Sequence, residues 1–187
     1  MLTKSQNVNK GWKLKSFNLL STKGMFIKET ELIKKNGLAV AFICNHCPYV
    51  KDIIYRMVKD FNELKKIDVG VTAIMPNDSD SYPEDSYENM IEFSIQNKFS
   101  FHYLYDGKQE VSKKYGAVCT PDFFCFDQNL ELFYRGRLDN LRYQSKNLLS
   151  RKKELLDAFN FKITTGNIIA NQNSSIGCSI KWKKNIT

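Results

Sequence analysis

The sequence predicts an α/β domain: a mixed sheet with helices on both faces. Three observations lead there. Leu38 to Ile43 and Val69 to Met75 are continuous apolar runs of buried-strand length. The segment between them carries apolar residues at helical spacing. Two later runs, Phe123 to Phe126 and Leu130 to Tyr134, flank a turn at Gln128-Asn129 and read as a β-hairpin. Strand, helix, strand in that order demands parallel pairing through a right-handed crossover, whereas a hairpin adds antiparallel strands.

Each element has its own local signal. Trp12 to Leu20 and Met25 to Ile33 are expected to form a small hairpin or helix packed on the sheet. After Leu38 to Ile43, the residues Val50, Ile53, Ile54, Met57, Val58, Phe61 and Leu64 share one helical face. Pro48 suits the first turn of that helix, where a missing N–H costs nothing. Ser81 to Glu84 fits a capping box for a second helix running to about Asn97. Phe101 to Tyr105 is a weaker strand, and Gln109 to Tyr115 a short helix ended by Gly116. A basic amphipathic helix follows the hairpin, with Leu148, Leu155, Leu156 and Phe159 on one side. The stretch from Asn171 to Thr187 is polar and irregular apart from IGCSIKW.

Composition bounds the function classes. The chain has 187 residues, of which 42% are hydrophobic and 26% charged, so a single ordinary globular domain is expected. No run approaches the roughly 18 apolar residues of a membrane span. The polar N-terminus lacks the apolar stretch of a signal peptide, which points to the cytoplasm. The net charge of +8 raises the question of a polyanion partner. The charges are mixed along most of the chain, however, and no aromatic-plus-basic repeat reads as a base-stacking platform. Neither nucleic acid nor a membrane is expected as a partner. Asn77 to Met90 is acidic, with Asp78, Asp80, Glu84, Asp85 and Glu88, and reads as a solvated loop and helix start. Arg135 and Arg137 are expected in salt bridges, and His102 in an unremarkable hydrogen bond on a strand.

The chemistry centres on AFICNHCPYVKD. Cys47 sits where a buried strand gives way to a helix, where the partial positive charge of unpaired N–H groups stabilises a thiolate. His46 and Lys51 would add positive charge. Cys44 lies three residues earlier, which makes a C-x-x-C pair. A disulfide between the two needs a turn at Asn45, because an extended segment would hold them too far apart. In GAVCTPDFFCFD, Thr120-Pro121 immediately precedes a hairpin strand, as suits a residue that cannot donate to a ladder. A cis bond is expected there, with Cys119 brought near Cys47. Cys125 alternates within FFCF and reads as core. Cys178, in the tail, either folds back as a resolving thiol or has no role.

The segments FICNHCPYVK, NDSDSYPEDSYENM, YLYDGKQEVSKKYGAVCTPDFFCFD, LFYRGRLDN and GCSIKW resemble the thioredoxin-like superfamily, within its redoxin or AhpC/TSA class and its peroxiredoxin-like subgroup. The resemblance covers about Leu38 to Trp182. It implies a thioredoxin-like fold over one domain, 1–187, with a core at about 38–164 and an irregular tail at 165–187. It also implies that Thr120-Pro121 is the cis-proline loop facing the nucleophile. The register departs from the usual one. A thioredoxin has its first cysteine at the helix start and its second in the first turn, where this chain has Val50. A peroxiredoxin has P-x-x-x-T-x-x-C, and alignment on Cys47 puts Val40 at the proline and Cys44 at the threonine. The buried acid of thioredoxins falls on Ala41, so the proton-handling group is either absent or replaced, with His46 as the candidate.

The expected function is thiol-dependent oxidoreduction of an antioxidant type. Cys47 attacks a disulfide or hydroperoxide, and Cys44 or Cys119 resolves the product. His46, Thr120 and Pro121 complete the site. The partners are a thioredoxin- or glutathione-type reductant and the substrate, with no organic cofactor or resident metal. One alternative is a Zn²⁺ or Cu(I) site from Cys44, His46, Cys47 and Cys119. Another is a non-catalytic redoxin-like binding module.

Overall fold

The computed structural model describes residues 2–5, 11–145 and 147–184. In chain order the elements are β1 (Leu2–Lys4), β2 (Asn18–Ser21), β3 (Phe26–Lys28), α1 (Glu29–Leu32), β4 (Leu38–Phe42), α2 (Pro48–Lys66) and β5 (Gly70–Met75). There follow α3 (Tyr87–Gln96), β6 (His102–Tyr105), α4 (Glu110–Tyr115), β7 (Cys119–Thr120), β8 (Asp122–Phe126), β9 (Leu132–Gly136), α5 (Glu154–Thr165) and β10 (Ile176–Ser179). A seven-stranded sheet runs in the order β3-β2-β6-β5-β4-β8-β9, and a three-stranded sheet in the order β1-β10-β7.

The strands β4, β5 and β6 pair in parallel, and β8 lies antiparallel to β4, so the sheet is mixed as expected. Every residue of β4 and β5 is buried, which is why both read as unbroken apolar runs rather than alternating ones. Along α2, Val50, Ile54, Met57, Phe61 and Leu64 face the core, while Lys65 and Lys66 sit in the last turn against the negative end of the dipole. Arg56 and Asp60 are buried on the same helix. Arg56 Nε donates to Asp139 Oδ2 at 2.8 Å, and Arg151 bridges Asp139 and Asp60, so an ionic cluster ties α2 to the segment leading into α5.

Several expectations need correction. The tail expected to be irregular from residue 165 carries β10, whose backbone groups find partners on both sides. The sheet reaches back to β2 and β3, well before residue 38. The cap of α3 is Ser86, which accepts from Asn89 N–H at 3.2 Å, and not Ser81. Pro83–Asp85 instead form one 3-10 turn, which aims Asp85 inward. Leu148 is off the face of α5, in an exposed 3-10 turn before the helix begins. The second hairpin strand starts two residues later than expected, because Asp127 Oδ1 takes the Asn129 and Glu131 N–H groups into the turn.

Candidate active site at the start of α2

Cys47 is the N-cap of α2, with Pro48 at the first helical position. The chain bends at Asn45 and His46, between the end of β4 and this cap, as a close approach of Cys44 to Cys47 requires. Both cysteines are fully buried. The Thr120–Pro121 bond is cis, and this loop lies against both sulfurs. Cys44 Sγ is 3.3 Å from Thr120 Oγ1, and the Cys47 thiol donates to Thr120 O at 3.3 Å.

The Cys47 thiol is lowered from its ordinary value to about 5. Hydrogen bonding from the Cys44 thiol is the largest cause. Burial opposes it; Val50 N–H and the thiol and N–H of Cys178 add to it. Val50 holds the third helical position, whose amide has no partner within the helix. It closes no full capping bond, but its dipole still favours the anion. The Cys44 thiol is pushed well above its usual range, first by the bond it gives to Cys47, then by burial and the Asp85 charge. Cys44 therefore stays protonated and donates, which is the part a hydroxyl takes at the threonine position of a peroxiredoxin-like motif.

His46 Nδ1 donates to Asp85 Oδ2 at 2.7 Å. That bond raises the imidazole; burial opposes it, and the Asp85 and Cys47 charges reinforce it. Asp85 is fully buried. Burial pushes its carboxyl up, but the bonds from His46 and Asn77 outweigh it and the net shift is downward. Asp85 also accepts from Asn45 N–H at 2.8 Å, His46 N–H at 3.3 Å and Asn77 Nδ2 at 2.7 Å. The acidic segment that reads as solvated thus supplies the buried acid that Ala41 does not. The buried carboxylate thus favours the charged form of His46, the residue that precedes Cys47. His46 also forms one wall of a cleft of about 500 Å³, together with Asn45, Lys51 and Phe93. Lys51 is exposed there.

Among the described residues no hydrogen bond joins Cys119 to Cys47. Cys119 neighbours Thr120 on a strand, where consecutive side chains point to opposite faces. Thr120 faces Cys44, and the Cys119 sulfur turns to Pro121 O at 3.8 Å. Burial and then the Asp122 charge push its thiol far up. Cys178 folds back onto the loop, because β10 pairs it with Thr120. Gly177 allows that approach: a Cβ on it would stand 2.0 Å from Thr120 O. Cys125 is core. His102 Nδ1 meets Ser21 Oγ at 2.9 Å, and Arg135 and Arg137 pair with Asp122 and Glu154.

Ligand atoms of Cys44, His46 and Asp85 lie within 4.8 Å of one another. The Asp85 oxygens already accept four N–H donors. The His46–Asp85 hydrogen bond accounts for two of the three positions, and Cys44 bonds to Thr120 Oγ1 instead.

Comparison with known proteins identifies the family and the fold. Residues 11–135 match the AhpC/TSA family. An uncharacterized conserved protein from Geobacillus kaustophilus is 36% identical, with a TM-score of 0.92, over 99% of this chain and 98% of that one. A hypothetical protein from Sinorhizobium meliloti 1021 is 32% identical, with a TM-score of 0.92, over 98% of this chain and 100% of that one. The thioredoxin domain of a thiol-disulfide oxidoreductase from Bacteroides vulgatus shares the fold at 14% identity and a TM-score of 0.56, over 67% of this chain and 86% of that one. No curated protein matches the sequence. Among the described residues no helix is long and apolar enough to cross a membrane. With a thioredoxin-like fold, a helix-capping cysteine and a facing cis-proline loop in place, the chain belongs to the AhpC/TSA family.

Proposed function

We propose that the protein is a thiol-dependent oxidoreductase whose nucleophile is the Cys47 thiolate. The observation that carries this reading is the placement of the Cys47 sulfur at the start of α2, against the cis Thr120–Pro121 loop, where Cys44 and the Val50 N–H lower its thiol to about 5 and so favour the nucleophilic form.

With a hydroperoxide, the thiolate attacks one peroxide oxygen and the O–O bond breaks. Cys47 becomes a sulfenic acid, and the leaving oxygen takes a proton to form an alcohol or water. With a disulfide, Cys47 forms a mixed disulfide and expels the other half as a thiolate. In either case two electrons from a thioredoxin- or glutathione-type reductant restore the thiol. His46, held on Asp85, supplies positive charge beside the reacting sulfur. Thr120 and Pro121 form the wall against which the substrate lies.

The test is turnover of hydrogen peroxide and of a small disulfide by the wild type and by Cys47→Ser. Loss of both activities in the variant is expected. Activity unchanged by the substitution would overturn the reading.

A further inference from the structure

We propose that Cys178, on the C-terminal strand β10, is the resolving thiol of the Cys47 centre, so that the oxidised protein carries a Cys47–Cys178 disulfide. The inference rests on the reading of Cys47 as the nucleophile and identifies its partner.

Two thiols act on Cys47: that of Cys44, three residues back across the bend, and that of Cys178, which the β10–β7 pairing sets opposite Thr120. Cys44 is wholly buried, is tied to Thr120 Oγ1 and sits in the field of the Asp85 carboxylate. A thiol in that place donates well and ionises poorly. Cys178 is half-exposed. Its strand register sets it opposite Thr120, whose carbonyl oxygen is the one Cys47 touches. Gly177 lets β10 press that close. A disulfide formed there stays within reach of an external reductant, which a Cys44–Cys47 bond under the sheet edge does not.

The charges also give the right order of events. Burial is the largest cause that raises the Cys178 thiol, to about 11, and the hydrogen bond and charge of the Cys47 thiolate come next. Oxidation of Cys47 to an uncharged sulfenic acid or mixed disulfide removes the charge and leaves Lys181 to favour ionisation. Cys178 therefore becomes a better nucleophile once there is something to resolve. It gives up its proton and attacks the Cys47 sulfur. The S–S bond forms, the S–O bond breaks, and hydroxide leaves with that proton as water. With a mixed disulfide the group expelled is the second substrate thiolate. The disulfide then accepts two electrons from the thiol reductant.

The experiment oxidises reduced wild type, Cys44→Ser and Cys178→Ser with one equivalent of hydrogen peroxide, and separately with oxidised glutathione. An alkylating reagent and dimedone trap the products, and peptide mass mapping reads them. The expected result is a Cys47–Cys178 bridge in wild type, and the same bridge, formed more slowly because the main donor to Cys47 is changed, in Cys44→Ser. In Cys178→Ser, Cys47 should persist as trapped sulfenic acid or mixed disulfide, with intramolecular bridging down about tenfold or more. A Cys44–Cys47 bridge in wild type, with Cys178 alkylated freely, overturns the proposal and leaves the nucleophile standing. Cys47 alkylated freely after both oxidants overturns both. The wild-type map decides even if a variant folds poorly.

Discussion

Two cysteines flank the same cis-proline loop and meet opposite fates. Cys47 and Cys119 are both fully buried, and each has its sulfur against a backbone carbonyl of the loop, Thr120 O or Pro121 O. Yet one thiol is lowered to about 5 and the other is driven far up. Desolvation acts on both in the same direction, so burial does not separate them. Cys47 is surrounded by donors: a thiol on either side and an amide at a helix start. Cys119 has the Asp122 carboxylate as its neighbour, with Arg135 opposing it only in part. The acidity of a buried thiol is set by the sign of the dipoles pointed at it.

The largest effect that sharpens this contrast is substitution by serine. Cys47→Ser should bring peroxide and disulfide turnover to background, whereas Cys119→Ser should stay within about twofold of wild type, as measured by steady-state assay. Alkylation followed by mass mapping as a function of pH comes next. The Cys47 rate should rise to half its plateau near pH 5, because its thiolate is already formed above that value, and Cys119 should stay unmodified until the protein unfolds. An unfavourable result would be a Cys47 rate that climbs only above pH 8.

Asp85→Asn should act in two ways. The His46 midpoint, followed by NMR titration, should fall, because the bond and charge that raise it are removed. The Cys47 rate at pH 6 should drop severalfold with it. In the wild type this pair has a definite linkage: a raised histidine contributes stability that is complete below the unfolded value near 6.5 and is lost as pH rises through the folded value. Urea unfolding at pH 6 and pH 8 should therefore separate wild type from Asp85→Asn more at the lower pH. The smallest effect is Gly177→Ala. Its added Cβ would meet Thr120 O, so β10 must shift, at a cost of about 1–3 kcal/mol by urea unfolding. Bridging of Cys47 to Cys178 should slow, while the first alkylation of Cys47 should not.

What the sequence discloses follows how local the cause is. The strands β4 and β5, the face of α2, the Pro48 start and the Gly116 stop are dictated by residues within one turn or one strand of each other. So are the strand-to-helix position of Cys47 and the loop at Thr120-Pro121. The role of Asp85 is not local. Its bond to Asn45 N–H spans 40 residues, and nothing in Ser81 to Ser86 marks it as inward-facing until the 3-10 turn is seen. Cys178 is the same case at larger separation, since its register against Thr120 is fixed by pairing between the chain's tail and its middle. Cys119 differs again: it is next to the loop in sequence, but the alternation of side chains along the strand turns it away from the face of Thr120, and its sulfur bonds to Pro121 O.

The strand that carries Cys178 is fastened to two distant parts of the chain. β10 is flanked by β7 on one side and on the other by the three residues Leu2–Lys4. Without that short edge strand, β10 would keep only its pairing to the two residues of β7. A deletion at the N-terminus should therefore loosen the strand that brings Cys178 to the loop while leaving Cys47 and its helix unchanged, and bridging between the two sulfurs should slow.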